Sequence, residues 1–222
     1  LIMDNGVTQN YQMSVNGGTE TTKMMFSLDY YDETGVLIGD DFNRLNARLN
    51  VNQRIMKGME FTASALYTTS TQNSAPSNVF HAAQTKEPYG VPYNEDGSIN
   101  KYPFTGSGAT DINMLLNQDR NNYVDETKVN RFFGTMALDW EIIKGLQFRT
   151  NFGYDIQHNR NGHFEGVNST FVSGNKNLAK VSKTETQDMQ WTWENTLTYT
   201  KDFGFHSLTA LVGHSMQKST YE

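Results

Sequence analysis

Apolar and polar residues alternate along four long stretches of this chain. Leu45, Ala47, Leu49 and Val51 interleave with Asn46, Arg48, Asn50 and Asn52, and Phe61, Ala63, Ala65 and Tyr67 flank Thr62 and Ser64. Farther on, Phe132, Gly134, Met136, Leu138 and Trp140 are set against Arg131, Thr135 and Asp139, and Phe148, Thr150, Phe152 and Tyr154 against Arg149, Asn151 and Asp155. A period of two sends alternate side chains to opposite faces of a strand, so the pattern predicts strands with one apolar and one strongly polar face.

The four stretches form two copies of one unit. Asn43-Arg44, Lys57-Gly58, Phe61 and Tyr67 recur without a gap as Asn130-Arg131, Lys144-Gly145, Phe148 and Tyr154, 87 residues later (57 to 144). Each copy reads as a strand, a tight turn at Lys-Gly and a returning strand, a repeated supersecondary unit. Two more hairpins fit. One runs from Tyr11 to Tyr31 and turns at Gly18-Thr19-Glu20, and the other runs from Asp188 to Gln217 and turns at Lys201-Asp202-Phe203-Gly204. The prediction is eight antiparallel strands, several of about ten residues or more, where about five or six is usual in globular proteins.

Connection lengths alternate as well. The turns inside the hairpins are short. The connections between them, Asp32 to Asp41, Thr71 to Thr127 and His158 to about Glu185, are long. Short turns at one rim and long loops at the other are the pattern of outer-membrane β-barrels. Residues 71–127 then form a long extracellular insertion, with a short helix expected over Asn78 to Lys86 and a turn at Asn94-Glu95-Asp96-Gly97. No window holds 18 consecutive apolar residues, which excludes helical spans and says nothing of strands.

Period two alone leaves two architectures open. In a soluble sandwich the apolar face points inward. In a membrane barrel it meets lipid, every backbone group must be paired within the sheet, and the polar face lines the lumen. Strand length favours the barrel. So do the aromatics at both rims: Tyr30, Tyr67 and Tyr154 toward the long loops, and Trp140, Tyr199 and Phe203 toward the short turns. Arg48, Asn50, Asn52, Arg149, Asn151 and Asp155 are accordingly assigned to the lumen. Composition agrees. Aromatics reach 12% while charged residues stop at 19%, a profile unlike that of a disordered chain. The formal net charge of −6 argues against a nucleic-acid partner, and the lack of cysteine excludes disulfides and thiolate chemistry.

Three stretches carry a family resemblance. They are Asn16-Gly17-Gly18-Thr19-Glu20; Phe26-Ser27-Leu28-Asp29-Tyr30-Tyr31-Asp32-Glu33-Thr34-Gly35-Val36; and Phe42-Asn43-Arg44-Leu45-Asn46-Ala47-Arg48-Leu49-Asn50. Together with His206-Ser207-Leu208-Thr209-Ala210-Leu211-Val212-Gly213, they resemble SusC/RagA-type TonB-dependent transporters. The Gly-Gly hairpin combined with F-x-R-x-x-x-R-x-N is the distinctive part, and the likeness covers most strands but not the long loops. The resemblance implies an internal portion of a 22-stranded barrel in the outer membrane of a Gram-negative bacterium. It further implies import of oligosaccharides or peptides driven by TonB, and a SusD-like surface lipoprotein over the loops. No TonB box, plug domain or terminal aromatic is found in these residues, so energy coupling is carried over from the family and belongs to a part of the protein outside this chain.

Bond chemistry finds little support. The acidic pairs Asp32-Glu33, Asp40-Asp41, Glu95-Asp96 and Asp125-Glu126 read as solvated turns rather than as a glycosidase pair. Asn94 to Ser98 is a fragment of a calcium loop. His158 and His163 are expected to share a loop, a weak basis for a metal site. No cofactor is indicated. Loop aromatics are the better candidates for ligand or lid contact: Tyr89, Tyr93, Tyr102, Phe104, Phe164 and Phe171. Two other functions remain open at this point: a soluble extracellular carbohydrate-binding module, and a small, complete eight-stranded anchor barrel.

Overall fold

The computed structural model describes residues 3–85, 89–172 and 175–222. Its frame is a single antiparallel sheet of eight strands in sequence order: β1 (Val7–Gly18), β2 (Thr22–Thr34), β3 (Asp41–Met56), β4 (Met59–Asn73), β5 (Tyr123–Ile143), β6 (Leu146–Glu165), β7 (Lys180–Phe203) and β8 (His206–Tyr221). The sheet is open, because β1 and β8 do not pair with each other.

The register explains why the alternation predicted so much. Paired residues share a face, and one row runs Val15, Phe26, Leu49, Ala65, Gly134, Tyr154 and Trp191 across seven strands. The row beside it on the other face runs Asn16, Met25, Asn50, Ser64, Thr135, Gly153 and Thr192. A slip of one residue in any strand would exchange the faces, so the pattern specifies the pairing.

The apolar face is uncovered. Phe26, Leu49, Met136 and Trp193 are each about 40–50% exposed, and no second sheet lies over them among the described residues. That removes the sandwich. The buried side chains gather instead at one rim, where Val79, Ile112, Leu115, Tyr123 and Val172 form a small core between the connections.

The repeat extends to an irregularity. Ladder register shifts between Arg54 and Met56 and again between Glu141 and Ile143, so Ile55 and Ile142 are equivalent bulge residues 87 positions apart (55 to 142). Each precedes a turn whose glycine has positive φ, +79° at Gly58 and +86° at Gly145, a conformation that disfavours side chains with a Cβ. The last hairpin turns at Gly204-Phe205, a little later than its sequence suggests, with Phe203 still paired to His206.

Strands also run farther toward the long-loop rim than expected. The connections shrink to residues 35–40, 74–122 and 166–179. In the added segments neither face is apolar, so the side chains give no period-two signal even though the backbone ladder continues. Within the longest connection, α1 (Val79–Thr85) occupies the expected place, while Lys86 lies outside the described residues. The turn at Asn94 to Gly97 is also present, closed by Gly97 N–H donating to the Asn94 carbonyl (3.0 Å).

Candidate functional site

Two surfaces carry the candidate residues: the polar face of the sheet, and the cap built from the two longest connections.

All six residues assigned to the lumen stand on the polar face. Asn50 accepts from Ser64 Oγ (2.7 Å), and Asn52 Nδ2 donates to Glu60 Oε1. Arg149 pairs with Asp139 (3.0 Å), and Asn151 lies between Ala137 and Glu194. Asp155 receives two bonds from Arg131, from Nε (2.9 Å) and Nη2 (2.6 Å), the fork geometry that suits a guanidinium to a carboxylate. Arg48 sits between Ser27 and Leu66 in its row. Farther along, Thr68 Oγ1 donates to Asn46 Oδ1 (2.8 Å) and Asn46 Nδ2 to Asp29 Oδ1 (2.9 Å), an amide relay across three strands. The face is therefore rich in polar donors and acceptors and carries charges of both signs.

The cap is a folded unit. Asn113 Nδ2 donates to the carbonyls of Pro92 (2.9 Å) and Asn100 (2.8 Å). Asn117 clamps the two connections together: its Nδ2 donates to Thr170 Oγ1 (2.7 Å) while its Oδ1 accepts from Thr170 N–H (3.1 Å). Neither asparagine stood out in the sequence, because a buried amide that ties loops carries no motif.

The six candidate aromatics separate into two groups. Tyr89, Tyr93 and Tyr102 are exposed, with Lys101 Nζ over the Tyr102 ring at 5.5 Å. The other three have packing duties. Phe104 lies against Gly90, where an added Cβ would meet its ring at 2.6 Å. Phe171 stacks on Tyr123 with centroids 5.9 Å apart. Phe164 is not in a loop: it belongs to β6, paired with Val124 and Val181.

The histidines and acidic pairs also fall elsewhere than expected. His158 and His163 both lie in β6, and an odd spacing of five puts them on opposite faces. His163 faces Asp125 (3.7 Å) and Glu165 (2.9 Å), and Tyr123 meets its ring edge-on. Asp32-Glu33 and Asp125-Glu126 are strand residues, so the members of each pair point to opposite faces. Among the described residues no group of three acidic or imidazole side chains is placed to hold a metal. The turn acid Asp96 accepts from the Ser98 hydroxyl (2.6 Å) and backbone N–H (2.9 Å), and these bonds hold its carboxyl below the ordinary aspartate value.

This geometry has counterparts among known proteins. No family model matches the chain. It is 27% identical over 236 residues to TonB-dependent receptor P3 of Formosa agariphila, and 26% identical over 228 residues to TonB-dependent receptor P26 of the same organism. These alignments cover 98% and 100% of the chain but 22% of each relative, so the chain spans about a fifth of their length. In fold it matches the RagAB peptide transporter (TM-score 0.71, 21% identity) and the RagAB peptide importer in its closed-closed state (TM-score 0.70, 19% identity), over 96% of its own residues and 25% of theirs. The chain is thus similar in sequence to TonB-dependent receptors and in fold to a part of the RagAB transporter, the SusC/RagA-type likeness that its strand motifs carry. In that setting an open sheet is the appropriate form for a portion of a larger barrel, and the relatives carry the names of receptors and transporters rather than of enzymes.

Proposed function

We propose that this chain is a section of the outer-membrane barrel of a TonB-dependent importer, and that it guides a polar oligomer without breaking bonds in it. The carrying observation is the uncovered apolar face. A single sheet with Phe, Leu, Met and Trp exposed across eight strands is not stable in water. Lipid covers such a face and leaves the backbone paired. Strands of 12–24 residues exceed the 9–11 needed to cross the hydrocarbon at a tilt, and the extra length reaches out to the cap.

On this reading Arg48, Asn50, Asn52, Arg149, Asn151 and Asp155 line the passage. The insertion lies at the extracellular mouth, and Tyr89, Tyr93 and Tyr102 are its best placed side chains for a ligand or for a SusD-like lid lipoprotein. Phe104, Phe164 and Phe171 act by shaping the loops. TonB engages a part of the protein outside this chain. The cargo is an oligosaccharide or a peptide. The RagAB structures are named for peptide transport, and the mixed charge of the polar face suits either cargo.

The test is cysteine labelling of the full-length protein in membranes. Positions 49 and 136 should react with a lipid-soluble maleimide and resist a water-soluble one, and positions 50 and 151 should do the reverse. Recovery of the protein as a monodisperse species without detergent would overturn the reading.

A further inference from the structure

Beyond the aromatic row at the cap end, the apolar face passes into a cluster of cations. The register runs without a break from Tyr67, Phe132 and Ile156 through Thr69, Asn130 and His158 to Thr71, Lys128 and Arg160. These side chains therefore share a face with Met136 and Phe152, not with the lumen candidates. Glu126, on the same face, is shared by three cations: Arg120 (3.1 Å), Lys128 (3.0 Å) and Arg160 (3.4 Å). The carboxylate is mostly covered, at 18% exposure, while the cations are 60%, 39% and 44% exposed. One carboxylate neutralises one of the three, leaving two positive charges in a chain whose net charge is −6.

The neighbouring charges do not cancel this excess. Glu185 stands across the ladder from Arg160 but is paired with Lys183 (2.7 Å), Asp41 reaches Arg120 only through the amide of Asn73, and Asp32 lies farther off on β2. Glu222 stands at the far side of a groove of about 500 Å³ lined by Lys128, His158, Arg160, Glu185 and Gln187.

We infer that Arg120, Lys128 and Arg160 bind the phosphate of a phosphorylated glycolipid in the outer leaflet. The inference rests on the reading that the apolar face meets lipid. Lys128 is then four residues past Phe132, about 13 Å along a strand and less along the membrane normal, which is headgroup depth. Guanidinium and ammonium groups there meet phosphates, the guanidinium in forked geometry. Thr69 and Asn130, between the cations and the aromatic row, and Thr71, level with Lys128, offer the hydroxyl and amide partners that a sugar takes and an acyl chain does not.

The experiment uses the full-length protein in nanodiscs of phosphatidylethanolamine containing a few mole per cent of bisphosphorylated lipid A, with co-retained lipid counted by native mass spectrometry. The wild type should enrich lipid A. The Lys128→Gln/Arg160→Gln double variant should lose about 25-fold, about fivefold for each cation near the surface. Glu126→Gln, which frees the cations, should raise the enrichment and so tests the idea even where the double variant folds poorly. Equal enrichment by wild type and double variant overturns the proposal. So does equal retention of dephosphorylated lipid A, equal retention of phosphatidylglycerol, or displacement by millimolar inorganic phosphate. A protein that inserts and enriches nothing overturns this inference alone, whereas one that fails to insert overturns the barrel reading with it.

Discussion

Among the described residues, Ala137 is the one buried side chain outside the cap and its base. The cap, by contrast, encloses Ile112, Leu115 and Val172 together with Asn113, Asn117 and Ser169. The two regions thus complete their packing by different means. Between its two edge strands the sheet pairs its backbone internally, and it leaves its apolar side chains to whatever surrounds it. The cap hides a few apolar groups in a small interior and spends buried amides on holding loop backbone in place. A region of the first kind depends on its solvent, and one of the second kind on particular hydrogen bonds.

Five measurements break or sharpen that contrast. The largest effect belongs to the sheet in lipid. Met136→Arg or Leu49→Arg should cost about 2–4 kcal/mol near mid-bilayer, while Asn50→Arg on the other face should cost well under half as much. Urea titration of the full-length protein in vesicles reads both, and equal costs on the two faces would abolish the distinction.

Next come the twin turns at the opposite rim. Gly145→Ala pays for its positive φ, about 1–2 kcal/mol, and its new Cβ would also lie 2.3 Å from the Thr200 carbonyl. Gly58→Ala pays the first cost alone, since its Cβ would clear Glu141 by 3.4 Å. The same titration should rank Gly145→Ala as the worse, and parity would mean that β7 gives way.

Third, Asn117→Ala should loosen the cap by about 1–3 kcal/mol, because Thr170 N–H loses its buried acceptor. Hydrogen exchange should quicken around residues 113–118 and 168–172 with the strands unchanged. Loss of strand protection as well would make cap and sheet one cooperative unit.

Smaller still, Asp155→Asn should cost less than about 1 kcal/mol, since both partners of the Arg131 pair are substantially exposed and screened. A double-mutant cycle with Arg131→Gln measures it. The slightest effect is on pH. The carboxyl of Asp96 has a depressed pKa in the folded loop, so its contribution to the turn is full above the ordinary value of 3.8 and fades as pH falls through the lower folded value. The Ser98 amide should exchange faster under acid while the Asn113 amide does not.

Legibility followed the same division. The alternation at Leu45 to Val51 and Phe132 to Trp140 announced both the strands and their faces, and Lys57-Gly58 and Lys144-Gly145 announced the turns, because each signal is local. The resemblance to SusC/RagA-type transporters rested on the first of these strands, at Phe42 to Asn50, and otherwise on Asn16 to Glu20, Phe26 to Val36 and His206 to Gly213. Strand ends were misread where both faces are polar, as at His158 to Glu165. The loop aromatics could be named as candidates but not sorted, since whether Phe104 packs on Gly90 or Phe171 on Tyr123 depends on how the chain returns.

From its order of residues alone this chain specifies a two-faced, eight-stranded meander with Lys-Gly turns, since period-two side-chain geometry and glycine's tolerance of positive φ act within a few positions. Folding in three dimensions decided the rest. It joined Asn117 to Thr170 across 53 residues, stacked Phe171 on Tyr123, and brought Arg160 to Glu126. These contacts form between segments that are distant along the chain, and no local pattern encodes which distant segments will meet.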